Sequence, residues 1–301
     1  MNEQQRLVRN GYIAAIASGL VWGLLPLYIR LLGGLSPLWF VAQRILWSLL
    51  FVAIILICRR EIAAFFALLR MPKVVMPMAI SAVLIVLNWS TYVYAVSLHH
   101  ILAASLGYFL NPLMSVMLGV VFLGERLNRS QWAAVIVAFS GAALLAFSAL
   151  DTLWISLTLA LTFSLYSFVR KTAPIEALPG LAMETLILAP PALVYALLAA
   201  PWPAGTQSDT SVYWLLPLSG IITSVPLLLF SYSARKLTLT TLGLLQYLAP
   251  SIQFLIGLVV FGEPFSGAKL ASFLIVWAGL AIYTWDSIRR AGVARSSAIS
   301  R

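Results

Sequence analysis

Two stretches decide the fold: LAASLGYFLNPLMSVMLGVVFLGE at residues 102–125 and TTLGLLQYLAPSIQFLIGLVVFGE at residues 240–263. Each is an almost unbroken apolar run with a proline near its middle and a Gly-Glu at its end. A helix needs about 20 apolar residues to cross a hydrocarbon core of about 30 Å, so each stretch predicts a spanning helix. A shift of 138 residues lays Pro112 on Pro250, Glu125 on Glu263 and Gly141 on Gly279. Leu-Asn-Pro then faces Leu-Ala-Pro, and Phe-Leu-Gly-Glu faces Val-Phe-Gly-Glu. A slightly larger offset brings Arg44 onto Glu184, both early in the second helix of their half.

Outward from these stretches the chain continues as apolar blocks. Ten approach spanning length: residues 12–32, 37–58, 74–96, 102–123, 131–148, 153–169, 181–200, 212–231, 240–262 and 269–285. Barrel strands would be shorter and would alternate apolar with polar residues. The uniform runs predict helices. The first block is too long for a signal peptide and lacks a cleavage site followed by a polar region, so it is expected to remain in the membrane. Of the 301 residues, 62% are hydrophobic and 9% charged, against about 25% charged in a soluble domain. Too little polar surface exists to cover a soluble globule, and the excess apolar surface must face the lipid bilayer. Cys58 alone supports neither a disulfide framework nor a Cys-rich zinc site.

The net charge of +10 does not point to nucleic acid, because the cations sit in short loops between apolar blocks. Arg6 and Arg9, Arg59 and Arg60, Arg70 and Lys73, Arg126 and Arg129, Arg170 and Lys171, and Arg235 and Lys236 all follow or precede alternate helix ends. So does the tail from Arg289. They share one side if both termini are cytoplasmic, as the positive-inside rule requires; Lys269 is the exception. Five helices per half is an odd number, so the second copy is expected to be inverted. Residues 11–148 form the first five-helix repeat and 149–288 the second, after a cytoplasmic N-terminus at 1–10 and before a basic cytoplasmic tail at 289–301. Two inverted halves can exchange conformations around one site.

Asn88-Trp89, His99-His100 and the run from Ser105 through Gly107-Tyr108-Phe109-Leu110-Asn111-Pro112 to Leu113 resemble the RarD group. So do Glu125-Arg126, Gln131-Trp132, Arg170-Lys171, Glu184-Thr185 and Gln246-Tyr247. The resemblance runs from about Gly11 to about Arg290. It implies the EamA branch of the drug/metabolite transporter superfamily, a group of chloramphenicol-sensitivity permeases of the bacterial inner membrane. It also implies ten helices in two inverted repeats around a central cavity. This sequence departs from the group early in helix 2. Trp39 and Gln43-Arg44 stand where relatives commonly carry a Glu and then His-Arg.

Ionisable residues within the membrane are costly and usually face a cavity or a partner. Arg44 and Glu184 are the clearest, and they are expected to flank the central site, paired with one another or with the ends of a substrate. Glu184 is also the candidate for proton coupling. Arg30, near a helix end, is expected to snorkel. Tyr108, Asn111 and Ser115 share one helix face, and Pro112 leaves the carbonyl four residues earlier without its helical donor. Gln246, Pro250 and Gln253 repeat the scheme. With Asn88, Tyr92, Trp22 and Tyr166, these residues predict a cavity lined by aromatics and amides, fit for a small organic solute with an aromatic or zwitterionic part. Glu125 and Glu263 end equivalent helices on opposite faces and are expected to act with Pro112 and Pro250 as gates, each Glu capping a neighbouring helix N-terminus. A stripe of Ala134, Ala138, Ala142 and Ala146 predicts tight helix packing, within the subunit or in a homodimer. His99 and His100 point different ways on a helix and do not make a chelating pair.

No catalytic, metal or cofactor site is expected. No Walker A string occurs, nor a HExxH motif or a membrane Asp pair. The expected function is secondary transport of a small organic solute by alternating access, in the direction of export. A channel-like pore and a receptor or scaffold are the alternatives.

Overall fold

The computed structural model describes residues 3–32, 34–97, 101–146, 151, 153–202, 210–260, 267, 270, 271, 274–279, 281–283, 285 and 286. Among these residues the regular structure is helical throughout. The elements are α1 (Glu3–Leu31), α2 (Pro37–Cys58), α3 (Ile62–Leu68), α4 (Pro72–Ser97), α5 (Ile101–Leu123) and α6 (Arg129–Ala146). They continue as α7 (Leu153–Thr172), α8 (Ala177–Leu198), α9 (Leu216–Lys236), α10 (Leu239–Leu245) and α11 (Leu248–Val259). The described residues of Leu274–Tyr283 are helical too.

Among the described residues, eight helices are long and apolar enough to cross a membrane: α1, α2, α4, α5, α7, α8, α9 with the turn before it, and α10 with α11. The other two expected blocks are α6, whose 18 residues begin with the polar run Arg129-Ser130-Gln131, and the shorter segment Leu274–Tyr283. Large apolar side chains stay uncovered around the bundle, including Leu198 at 83% exposure and Phe122 at 67%. That surface suits lipid and is costly in water.

The helix neighbours form a regular pattern. α1 packs on α9 and α11, as α7 packs on α4 and α5. α2 packs on α9 as α8 packs on α4, while α2 with α8 and α5 with α10 form two central pairs. Near the middle, Tyr247 donates to the carbonyl of Phe109 at 2.9 Å and its ring lies 6.2 Å from the Phe109 ring. These two residues are 138 apart, the offset read from the sequence. Close approach of helices needs small residues. A Cβ on Gly243 would come 2.8 Å from the Pro112 carbonyl oxygen, and one on Gly220 would strike the Trp47 carbonyl.

Two local features sharpen the expectation. The helical hydrogen-bond pattern of the ninth span is interrupted at Gln246-Tyr247, between α10 and α11, while both residues keep right-handed helical backbone angles. Pro250 has no N–H to offer the Gln246 carbonyl, and the break sits there. The alanine stripe is used inside the subunit. Ala134, Ala138 and Ala142 are fully buried against the C-terminal helix, where a Cβ on Gly279 would lie 2.8 Å from the Ala134 carbonyl oxygen. The stripe therefore supplies no argument for a homodimer.

Candidate functional site

Arg44 is the eighth residue of α2. Its guanidinium carbon lies 4.8 Å over the Trp89 ring of α4 and 5.7 Å from the Phe40 ring. Its Nε donates to Thr223 Oγ1 of α9 at 2.9 Å. None of the three ion pairs among the described residues includes it. A membrane cation thus rests on aromatic faces, which attract it electrostatically, with one hydroxyl and no carboxylate.

Arg44 borders two adjoining chambers. The inner one, ≈ 140 Å³, is walled by Trp22, Trp89, Tyr92, Tyr108 and Phe163, with Asn88, Asn111, Gln246 and Gln253 as its polar groups. Pro26 and Pro250 line it as well. The outer one, ≈ 200 Å³, shares Ile29, Arg44, Trp89 and Tyr92 with the first and reaches Gly34 and Leu35 in the α1–α2 connection and Pro37 at the start of α2. Among the described residues, Arg44 is the one ionisable lining residue apart from the tyrosines in either chamber.

The polar lining divides by role. Asn88 directs its amide N–H groups to α7, at Leu159 O (2.8 Å) and Thr162 Oγ1 (3.0 Å), and so ties α4 to α7. Gln253 donates to the Trp22 carbonyl at 2.9 Å, the carbonyl that Pro26 leaves without a helical donor. Asn111 Nδ2 donates to Gln246 Oε1 at 2.9 Å, across the pair α5 and α10. That contact leaves Asn111 Oδ1 and Gln246 Nε2 buried without a partner. Exchanging O and N in both amides would still leave one acceptor and one donor over.

The end of the bundle that holds the N-terminus is closed in layers. The first is aromatic: Trp22, Phe163, Tyr166 and Phe230 pack with ring centroids 5.4–6.3 Å apart. Below it Glu184 accepts from Ser81 at 2.5 Å and from Arg170 at 3.4 Å, both ionic side chains being 2% exposed. Arg170 also donates to Ser231 Oγ and the Ala177 carbonyl, each at 2.9 Å. At the outer edge Glu125 receives the N–H groups of Leu239 (2.6 Å) and Thr240 (2.9 Å) and the Thr240 hydroxyl (2.7 Å). Two glycines permit this. Gly124 turns the chain at φ 65°, and Gly119 leaves room for the carboxylate, which a Cβ there would meet at 2.7 Å. Lys171 bonds the Ala234 and Leu237 carbonyls beside it.

Two expected site residues are therefore placed elsewhere. Glu184 does not line either chamber and does not meet Arg44. α2 and α8 run antiparallel, with Ser36 N on Pro201 O at 2.7 Å and Trp39 Nε1 on Ala196 O at 3.1 Å. Arg44 and Glu184 are each the eighth residue of a 22-residue helix. Each then lies about 10 Å in from opposite ends of helices about 33 Å long, roughly 12 Å apart along the axis. Tyr166 is fully buried beneath the chamber, in the aromatic floor. The other expected binding residues — Trp22, Arg44, Asn88, Tyr92, Tyr108, Asn111, Gln246 and Gln253 — share the inner chamber. Glu263, His99 and His100 lie outside the described residues. Sequence reasoning missed Arg170, taken as a loop charge although it sits in the last turn of α7, and Phe163, which carries no signal beyond being apolar.

The EamA-like transporter family matches residues 9–147. An uncharacterized transporter of Pseudomonas aeruginosa is 41% identical over 289 residues, covering 94% of this chain and 97% of the relative. Protein RarD of Escherichia coli is 37% identical over 282 residues, covering 93% and 95%. A crystal structure of a protein at 21% identity has a TM-score of 0.69 and covers 91% of this chain and 97% of that one.

Proposed function

Because this chain belongs to the RarD group of the EamA-like transporter family, we propose that the Arg44 chamber is the site of a secondary transporter that exports small organic solutes by alternating access. One observation carries the reading: the chamber reaches one end of the bundle, while three layers close the other. A carrier needs a site open to one side at a time. Arg6, Arg9, Arg59, Arg70, Arg129 and Arg235 sit at the closed end, so the positive-inside rule makes that end cytoplasmic and this state outward-facing. The chain would then lie in the bacterial inner membrane with both termini inside. Exchanging the first four spans of residues 11–148 with those of 149–288 carries the main helix pairings onto one another, which supports two inverted five-helix repeats. In this scheme Glu125 is the cytoplasmic gate and Glu263 its counterpart outside.

Time-resolved flux of a labelled solute into proteoliposomes, with and without an imposed pH gradient, tests the reading. Saturable flux is expected. Linear, very fast flux would make the protein a channel, and binding without flux would make it a receptor. A flux that follows the pH gradient would add protons as a partner.

A further inference from the structure

We infer that the central chamber is a site for an organic monocarboxylate, with Arg44 as its anion receptor. The inference rests on the transporter reading for its purpose but not for its chemistry. A guanidinium presents five N–H donors. Among the described residues, Arg44 has one hydrogen bond, from Nε to Thr223. The aromatic faces of Trp89 and Phe40 orient it without neutralising it. Arg44 is half-buried and lines both chambers, and among the described residues its terminal nitrogens make no hydrogen bond. Charged groups at membrane depth pair with something, and the described lining of both chambers offers aromatic faces, tyrosine hydroxyls, amides and apolar groups but no carboxylate. A carboxylate matches the flat fork of a guanidinium bidentately. The ring-lined wall of Trp22, Tyr92, Tyr108 and Phe163 suits a planar body behind that carboxylate. The Asn111–Gln246 pair, with an acceptor and a donor lacking partners, is the second polar point.

The test uses the purified full chain in detergent and three ligands of one shape: phenylacetate, phenylacetamide and phenethylamine. Affinities are measured by calorimetry. Phenylacetate is expected to bind about tenfold or more tightly than the amide, since a charge-assisted hydrogen bond adds that much, and the amine is expected to bind least. Arg44→Lys should keep the preference at lower affinity, and Arg44→Met should erase it. The wild-type series stands alone if a variant does not fold. Equal binding of amide and acid, or no binding of the acid, overturns the inference. Displacement of phenylacetate by short-chain phosphatidylglycerol but not by benzoate would assign Arg44 to a lipid headgroup and overturn it as well. Acid-selective binding without flux in proteoliposomes would sink the transporter reading and leave the anion site standing.

Discussion

Removing the carboxylate of Glu184 leaves Arg170 charged and buried. The two groups lie 3.4 Å apart with 2% of each side chain exposed. At an effective dielectric of about 20 such a pair attracts by about 5 kcal/mol, most of it offset by the desolvation of both ions. The pair itself is therefore worth little against an apolar replacement, whereas losing one partner costs about 3–5 kcal/mol. Glu184→Gln should fall near the lower end, because the amide oxygen still accepts from Ser81 and Arg170 keeps Ser231 and the Ala177 carbonyl. Arg170→Met should fall near the upper end, because Ser81 then remains as the carboxylate's donor. The double variant should lose far less than the sum, with a coupling of up to about 3 kcal/mol. Reversible unfolding of the four proteins in mixed micelles measures this cycle. Single variants within about 1 kcal/mol of wild type that add up in the double would refute a tightly coupled pair.

Three further outcomes are expected. Glu125→Gln removes the charge that caps α10 and should cost about 1–2 kcal/mol of closure, raising reagent access from the N-terminal side to a cysteine at Ala249 in a Cys58→Ser background; Glu263→Gln should shift access the other way, and the same shift in both would refute mirrored gates. Gly220→Leu drives a side chain into the Trp47 carbonyl, so folded yield should collapse, while Gly267→Ala, with open space around it, should stay within about 0.5 kcal/mol of wild type. A cysteine replacing His100 should label from outside the cell; labelling only from the cytoplasm would invert the orientation.

The fold was legible because lipid leaves few options: uniform apolar runs near 20 residues must be helices. Single residues with a covalent consequence were also legible. Pro112 and Pro250 each remove an N–H; Pro26, which the sequence reading passed over, does the same, and there Gln253 donates to the freed Trp22 carbonyl. Amides and aromatics on α4, on α5 and in the span of α10 and α11 could be assigned to one chamber because helical spacing fixes which residues share a face. Side-chain pairing was not legible. The sequence offered Arg44 as the partner of Glu184 and placed Arg170 in a loop, whereas the antiparallel seating of α2 against α8 sets Arg44 toward the opposite end and leaves Arg170 beside Glu184. Phe163 and Tyr166 lie three apart on α7, yet one walls the chamber and the other seals it. That distinction depends on where α9 places Phe230.

On the proposed inversion of the two halves, the position of Glu184 follows from the same repeat that suggested a match with Arg44. Equivalent residues of inverted halves have mirrored depths, so they cannot share one floor in one state. Arg44 now borders the open chamber, and Glu184 lies beneath the closed one. The offset that lays Arg44 on Glu184 also lays Arg30 on Arg170, which puts an arginine of each first helix near the same end as its ionic residue. If the halves exchange conformations, the surroundings of Glu184 become those that Arg44 has here: open to the cytoplasm, above a closed outer half. Arg170 would then be the cation within reach of an entering carboxylate, and Glu184 its competitor. An organic anion would meet Arg170 from inside and Arg44 from outside. This ordering makes a distinct demand on kinetics: Arg44→Lys should weaken binding from the outer face of oriented proteoliposomes more than from the inner face. Equal loss on both faces would place Arg44 in a single site shared by both states.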